Sequence, residues 1–423
     1  MNVIYMYELY PYFTNDGSVG LFSPEANDIY HSTYGALTEA YEKFILPSDF
    51  KNYFRKNSEI KILDICFGIG YNSKSFINNL LDLIYNETID TNNNSSATNN
   101  DKIYTNNKKY KISIHAIDTD KILATLSPFF KTFEKNIRKY NSKSEIIYKQ
   151  EKIRKLSANK AVAKYKLKDE VNILLLKSIF NQIDKDTISI LKDKKYKQYF
   201  NRKMMRLFEF YQKQRSIYTP LKRLNVFLHN IYYKYLSKGY KNAFNTLQLI
   251  DFDFNLEIND ARQAIKNDKT RYNFVFLDAF TPTKCPCLWS LEFFKLLYDH
   301  LEDNGMILTY SNSAQVRNCF KKAGFIVKKI FSKTQNKYTG TVAIKPSQLN
   351  SNNPTAKLYN PDLIKDLSEY DLGLMKTRAG IFYRDKDLSL DNEAIINKHK
   401  IEVENSNLIS STKFIKNYKK CHN

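Results

Sequence analysis

A chain of 423 residues with 43% hydrophobic side chains can bury one large core or two ordinary ones. No apolar run reaches the roughly 18–20 residues needed to span a bilayer, and five cysteines, an odd number, do not suggest a disulfide framework. A formal net charge of +22 points to a polyanionic partner, most simply nucleic acid, discounted because Lys, Asn, Ile and Tyr dominate throughout, as in an AT-rich coding sequence.

The N-terminal stretch MNVIYMYELYPYF lacks a positive lead, a long apolar run and a small-residue cleavage site, so a cytoplasmic location is expected. The spacing of Leu37, Ala40, Tyr41, Phe44 and Ile45 predicts a helix that starts at Ser32 or Thr33 and stops at Pro47. This segment, 1–50, precedes the first core strand and is placed to cap a site.

Ile60 to Ile65 reads as a short buried strand. It breaks into Cys66-Phe67-Gly68-Ile69-Gly70-Tyr71-Asn72, and SKSFINNLLDLIY follows as a helix. Strand, glycine turn and helix form the opening unit of a nucleotide-type layer. Residues 86–110 are Asn, Thr and Ser of low complexity and are expected to be a disordered loop. Ile112 to Ile117 is the second strand, ending on Asp118 and Asp120.

The segment 130–248 is rich in Lys and has helical stripes, one of Val171, Leu174, Leu175 and Ile179, another of Met204, Met205, Phe208 and Tyr211. It is expected to be a basic helical insertion. Its interleaved stretch YFNRKMMRLFEFYQKQR would suit phosphate contacts and base stacking on RNA. The α/β pattern then resumes: strand Phe252–Ile258, helix Ala261–Asn267, strand Asn273–Leu277, helix Ser290–Leu301, strand Met306–Tyr310, helix Gln315–Ala323. A hairpin of Phe325–Phe331 with Thr341–Ile344 is expected to add an antiparallel edge. After Pro346 a polar linker leads to a mostly helical tail, 346–423. The whole predicts a Rossmann-like α/β sheet of the class I S-adenosylmethionine-dependent methyltransferase type, with a core over 51–345, a helical insertion and a C-terminal tail.

Candidate site residues follow from strand ends. Gly68 and Gly70 form a short turn without the diphosphate pattern G-x-G-x-x-G, so a cofactor with an adenosine and no phosphate suits it better than a dinucleotide. Asp118, ending the second strand, can accept both ribose hydroxyls, and Asp260, ending the third, can hold the adenine amino group. Cys285 and Cys287 flank Pro286 in a C-x-C that no second pair completes, so no metal is expected. Asp278 closes the apolar run YNFVFL and enters a turn shaped by Pro282 and Pro286.

The stretch from Tyr272 to Trp289, YNFVFLDAFTPTKCPCLW, resembles the motif D-G-F-A-P-A-K-N-P-x-M-W of the MnmC-like tRNA methyltransferase domain family, with Asp278, Phe280, Pro282, Lys284, Pro286 and Trp289 on matching positions. ILDICFGIGYN is similar to that family's E-x-G-F-G-T-G-x-N loop, keeping Phe67, Gly68, Gly70 and Asn72, with Asp64 standing for Glu, Cys66 for the first glycine and Ile69 for the threonine. Asp28-Ile29-Tyr30-His31-Ser32 followed by Gly35-Ala36-Leu37-Thr38-Glu39 resembles the family's D-V-Y-F-S and G-L-x-E segment, and TRAGIFYRD its T-R-A-G-I-P-Y-R-D ending. Ala279 replaces the glycine after the key aspartate, which asks for an unstrained backbone there.

The resemblance implies S-adenosylmethionine as cofactor, bound by Tyr30, Asp64, Phe67, Gly68, Gly70, Asn72, Asp118, Asp260 and Asp278. It implies a tRNA substrate contacted by Phe280, Pro282, Lys284 and Trp289, and Asp278 as the catalytic residue. The implied reaction is N-methylation of the aminomethyl group of 5-aminomethyl-(2-thio)uridine at the wobble position. No second glycine turn suits FAD, so methyl transfer without flavin chemistry is expected. Two other readings remain open: an aminopropyltransferase of the spermidine synthase type, and an idle RNA-binding relative. The bulkier Cys66 and Ile69 are expected to crowd the methionyl end of the cofactor.

Overall fold

The computed structural model describes residues 7–93, 109–141, 160–215, 249–347 and 359–422. Near the N-terminus, β1 (Pro11–Phe13), β2 (Val19–Ser23) and β3 (Asp28–Ile29) make a small antiparallel sheet. The remaining strands form one eight-stranded sheet: β4 (Glu59–Ile65), β5 (Tyr110–Asp118), β6 (Ile250–Ile258), β7 (Tyr272–Leu277), β8 (Leu301–Thr309), β9 (Ile326–Ser332), β10 (Lys337–Ile344) and β11 (Ile364–Asp366). Its order is β11-β9-β10-β8-β7-β4-β5-β6. Strands β6, β5, β4, β7 and β8 run parallel, and β10 enters antiparallel between β8 and β9.

Apolar runs such as IKILDI and NFVFL suit this arrangement, since a parallel strand is covered on both faces and needs no polar alternation. Phe274, Phe276, Ile62 and Ile112 fill a core on one face; Val275, Leu277, Leu63 and Ile65 fill one on the other. The chain winds outward from β4 through β5 to β6, then returns to the other side of β4 at β7. That reversal opens a crevice at the carboxyl ends of β4, β5 and β7, where open α/β sheets bind ligands.

Several boundaries depart from expectation for local reasons. The first helix begins at Ala36, not at Ser32 or Thr33. Its free amides are capped from afar: the Thr38 amide donates to Asp16 Oδ2 at 2.8 Å and the Ala36 amide to Ser18 Oγ at 3.1 Å. A Cβ on Gly35 would lie 2.4 Å from that same Asp16 oxygen, so the glycine admits the cap. The helix then widens into a π-helical turn, Tyr41–Ile45, a feature frequent at functional sites.

The helix after the glycine loop runs Tyr71–Asn93, overrunning the expected disordered loop 86–110 by a full two turns; 94–108 lie outside the described residues. Within 130–248 the helices Ile137–Asn141, Asp169–Ile179, Lys185–Lys192 and Arg202–Arg215 are present, while 142–159 and 216–248 lie outside the described residues. Three aromatic residues of this insertion turn inward: Tyr199, Phe200 and Phe208 are buried, with Phe200 against Phe130 and Phe208 against Phe129. These three are not available to stack on RNA bases, whereas Arg202, Lys203, Arg206 and Lys213 are exposed, beside Glu209 and Gln212. The β9–β10 hairpin is not an edge, because β11 pairs with β9 beyond it. A three-residue strand has too few alternations to stand out in the tail.

Among the described residues no helix is long and apolar enough to cross a membrane.

The tail is tied to the sheet by a buried ion pair. Arg262 Nη1 donates to Asp385 Oδ2 at 2.7 Å, and Asp385, fully buried, also accepts the Ser389 and Leu390 amides. Removing one partner of a buried pair leaves an uncompensated charge. Asp385→Ala should therefore lower unfolding free energy by about 3 kcal/mol and expose 386–391 to protease; equal stability and protection would refute the tie. Asp64 in β4 has no exposed surface, and burial pushes its carboxyl up to about 8. Between the ordinary carboxylate range and that value the folded chain holds a proton that the unfolded chain has lost, so stability falls as pH rises through this window. Asp64→Asn should flatten the decline in melting temperature from pH 5 to pH 8.5; a parallel decline in both proteins would contradict it.

Candidate active site

The crevice at the strand ends is a cavity of about 840 Å³. At its floor is Asp278. The strand β7 is buried along its last four residues, and its final amide beyond the strand, that of Asp278, donates to Ile65 O on the neighbouring β4. Asn72, in the first turn of the helix after the glycine loop, donates from Nδ2 to Asp278 Oδ2 at 3.0 Å. Burial pushes the Asp278 carboxyl above its usual range, opposed by His31, the Asn72 hydrogen bond and Lys43.

Around Asp278 stand His31, Glu39, Lys43, Phe280 and Tyr310, all lining the cavity. Lys43 Nζ pairs with Glu39 Oε1 at 2.8 Å, and Glu39 Oε2 accepts the Ser32 amide at 3.1 Å. Tyr310 donates to Ala279 O at 2.8 Å. Burial holds His31 below the ordinary imidazole range, with Asp278 the first group to oppose it, so His31 is neutral at pH 7. Its ring packs edge-on against Tyr71, 5.2 Å between centroids. The resemblance flagged Glu39 only as part of a pattern, and His31 stands where that pattern has Phe. Lys43 had one signal: its i, i+4 spacing from Glu39.

A second half of the cavity lies at β5 and β6. Asp118 Oδ2 accepts the Gly68 amide at 2.6 Å and Oδ1 the Asp120 amide at 2.8 Å. Burial pushes this carboxyl up to about 6 against those bonds. Tyr30 meets Phe280, ring centroids 5.0 Å apart, and a Cβ on Gly68 would touch Tyr30 at 3.7 Å. Asp260 caps the helix Ala261–Asn267 and is gripped by the Arg262 guanidinium, 2.6 Å from Nη2 to Oδ2. Burial works against the Asp260 charge, but the Arg262 bonds hold its carboxyl below the usual range. Arg262 thus joins Asp260 to Asp385 of the tail, a link that strand-end reasoning about Asp260 alone did not reach.

Of the residues singled out in sequence, Tyr30, Asp118, Asp260, Asp278, Phe280 and Lys284 line the cavity. Others stand behind it. Asp64 accepts Ser73 Oγ at 2.6 Å and is sealed within the fold. Phe67 is buried against Phe254, and a Cβ on Gly70 would strike the Phe67 ring at 2.4 Å, so Gly70 serves packing. Pro282 is not among the lining residues, and Trp289, with no exposed surface, donates from Nε1 to Phe280 O at 2.9 Å. Trp289 therefore cannot stack on a ligand; it braces the Phe280 backbone.

The glycine-loop departures resolve differently from expectation. Ile69 is fully buried in the core and does not line the cavity, so it does not crowd a ligand. Cys66 does line it, with φ +63°, a left-handed conformation that costs a side-chain-bearing residue about 1–2 kcal/mol. Ala279 is not in the left-handed region. Among the described residues no group of three or more His, Cys, Asp or Glu is arranged to hold a metal ion.

Residues 223–346 match a family of S-adenosyl-L-methionine-dependent methyltransferases. An uncharacterised protein of Methanocaldococcus jannaschii is 33% identical over 147 residues, 34% of this chain and 38% of that one. The tRNA 5-methylaminomethyl-2-thiouridine biosynthesis bifunctional protein MnmC of Burkholderia multivorans is 29% identical over 89 residues, 20% of this chain and 14% of MnmC. The matches thus span well under half of either relative's length. MNMC2 from Aquifex aeolicus, a solved structure, aligns with 95% of this chain and 87% of its own, at a TM-score of 0.50 and 18% identity, and so shares the fold. The sheet order and the cavity at the β4 switch point thus accompany a match of residues 223–346 to an S-adenosyl-L-methionine-dependent methyltransferase family, and the chain resembles MnmC-like proteins in sequence and shares the fold of MNMC2.

Proposed function

We propose that this protein, acting in the cytoplasm, methylates the amine of 5-aminomethyl-(2-thio)uridine at the wobble position of tRNA, with S-adenosylmethionine as methyl donor. The observation that carries the reading is Asp278, a carboxylate hydrogen-bonded by Asn72 at the floor of a cavity whose other half presents Asp118. The donor set fits the cofactor. Both Asp118 oxygens have spare lone pairs for a ribose diol, while Asn72, behind the lining with its Oδ1 buried, acts through its bond to Asp278. Asp118, backed by the Gly68 amide, would hold the ribose and Asp260 the adenine edge. Bound there, S-adenosylmethionine supplies a sulfonium-activated methyl group, so the protein needs no nucleophile of its own.

The protein's work is to position a neutral amine and take its proton. Asp278 accepts one N–H of the substrate amine and so aims the lone pair away from itself. Asp278 would take the proton that the amine must shed on being methylated, and its raised affinity for protons suits it as acceptor. His31, neutral and beside Asp278, lets the carboxylate ionise without a second positive charge competing for the amine. Tyr30, Phe280 and Tyr310 wall the space against water. Lys284, exposed at the rim, is available to a tRNA phosphate.

The test is nucleoside mass spectrometry of tRNA bearing aminomethyluridine, incubated with protein and cofactor. A gain of one methyl on the wobble base is expected; an unchanged spectrum beside an active control refutes the proposal. Asp278→Ala should reduce the rate by about 10²–10⁴-fold while the melting curve stays cooperative. The rate under saturating cofactor should fall on the acid side with an inflection above the ordinary carboxylate value of about 4, because burial raises Asp278. Asn72→Ala removes a bond that favours the ionised form, so its inflection should move further up; an unmoved inflection would show that Asp278 is not the proton acceptor.

A further inference from the structure

Cys285 and Cys287 bring two sulfurs to the wall of the same cavity, Sγ to Sγ 3.6 Å apart. Nothing in the methyl transfer uses them. In the family pattern that this stretch resembles, Asn occupies the first of these positions, so the pair is a property of this chain. Pro286 between them starts a 3-10 turn, Pro286–Trp289, which holds both side chains on one side of the loop. The amide of Cys287 donates to Asn392 Oδ1 at 3.3 Å, so the tail fixes the loop from outside.

We infer that Cys285 and Cys287 are a peroxide-oxidisable dithiol, a modification site in the cavity wall that converts reversibly to an intraloop disulfide. The two thiols are unequal. The two sulfurs share a hydrogen bond, and this contact lowers the Cys287 thiol below its ordinary range, with the nearby Arg262 guanidinium adding to it against burial and Asp260. Cys287 is thus the thiolate-bearing partner, and the thiolate is the reactive form. The cavity gives a small oxidant a path to both sulfurs, since both line it.

The chemistry closes with peroxide alone. The Cys287 thiolate attacks one peroxide oxygen: an S–O bond forms, the O–O bond breaks, and the departing hydroxide takes a proton to become water. Cys285 sulfur then attacks the sulfenic sulfur: the S–S bond forms, the S–O bond breaks, and a second water leaves. Two thiols lose two electrons and two protons, and one peroxide becomes two waters. A 3.6 Å approach between residues two apart leaves little motion before bonding, within the loop itself.

The loop carries its own reporter. Trp289 is the single tryptophan of the chain, two residues past Cys287, and its indole nitrogen donates to Phe280 O across the loop. The experiment uses the full chain with Cys421→Ser, which removes the exposed thiol at the C-terminal helix. Treated with hydrogen peroxide, this protein should lose 2 Da in a peptide containing 285–287 (about 2 Da, one proton per thiol), change its Trp289 emission, and regain both on addition of dithiothreitol. Cys285→Ser and Cys287→Ser variants should show neither change, and each still binding S-adenosylmethionine or retaining its melting temperature shows the loop intact. The proposal is overturned if the peptide stays reduced, if Cys287 instead accumulates oxygen without losing 2 Da, or if the emission change persists in Cys285→Ser. Because the readout is mass and fluorescence, failure of methyl transfer leaves this test standing.

Discussion

A carboxylate at the end of a buried parallel strand is costly, and much of the molecule is arranged to make Asp278 tolerable without neutralising it. Desolvation alone would hold its proton on. Among the described residues no Lys or Arg pairs with it; relief comes from the amide of Asn72 and from the more distant influence of His31 and Lys43. Lys43 is itself matched by Glu39. The result is a carboxyl with a raised affinity for a proton, where a firm ion pair would have favoured its ionised form. Compare Asp260, gripped by Arg262 and kept ionised below the usual range. Two aspartates at two strand ends differ in duty because one has a guanidinium and the other does not.

That balance requires the N-terminal segment. His31, Glu39 and Lys43 all come from the chain before β4, held in place by Asp16 and Ser18, which cap the first helix across the fold. Asp16 accepts the Thr38 amide and hydroxyl while its other oxygen takes the Ser18 amide, so one buried carboxylate fixes both the turn after β1 and the helix start. Lys43 lies in the π-helical turn Tyr41–Ile45 and lines the cavity. The small sheet β1–β3 and this helix are therefore part of the site, and the sheet alone would present Asp278 to solvent.

Sequence made the sheet legible because parallel strands are short, largely apolar and bounded by turns, and β5, β6 and β7 each end at or just before an aspartate. Asp118, Asp260 and Asp278 were visible for that reason. What sequence could not show was which side chains turn away. Trp289 and Phe67 sit on motif positions yet brace backbone, because a large ring at a strand end is as readily drawn into the core as into a cavity. Ile69 looked obstructive beside two glycines but points into the core. Arg262 and Asp385 were invisible as a pair, since 123 residues separate them and each reads alone as a surface charge. Tyr199, Phe200 and Phe208 show the same ambiguity, with aromatic spacing that fits a core stripe as well as a stacking platform.

The C-terminal tail resolves one remaining question, why Asp260 should be clamped at all. Arg262 reaches Asp260 with Nε and Nη2 and Asp385 with Nη1, so one guanidinium spans the third strand's end and the tail. The planar fork of five donors permits this; a lysine could satisfy one carboxylate as a point charge and not both in fixed directions. Asp385 in turn orders Ser389 and Leu390, and Leu390, Asp391 and Asn392 line the cavity beside Cys287. The tail that follows β11 thereby becomes a wall of the site. Its closeness bears on what can enter the cavity, since Leu390, Asp391 and Asn392 share the lining with Lys284, Asp260 and Tyr30.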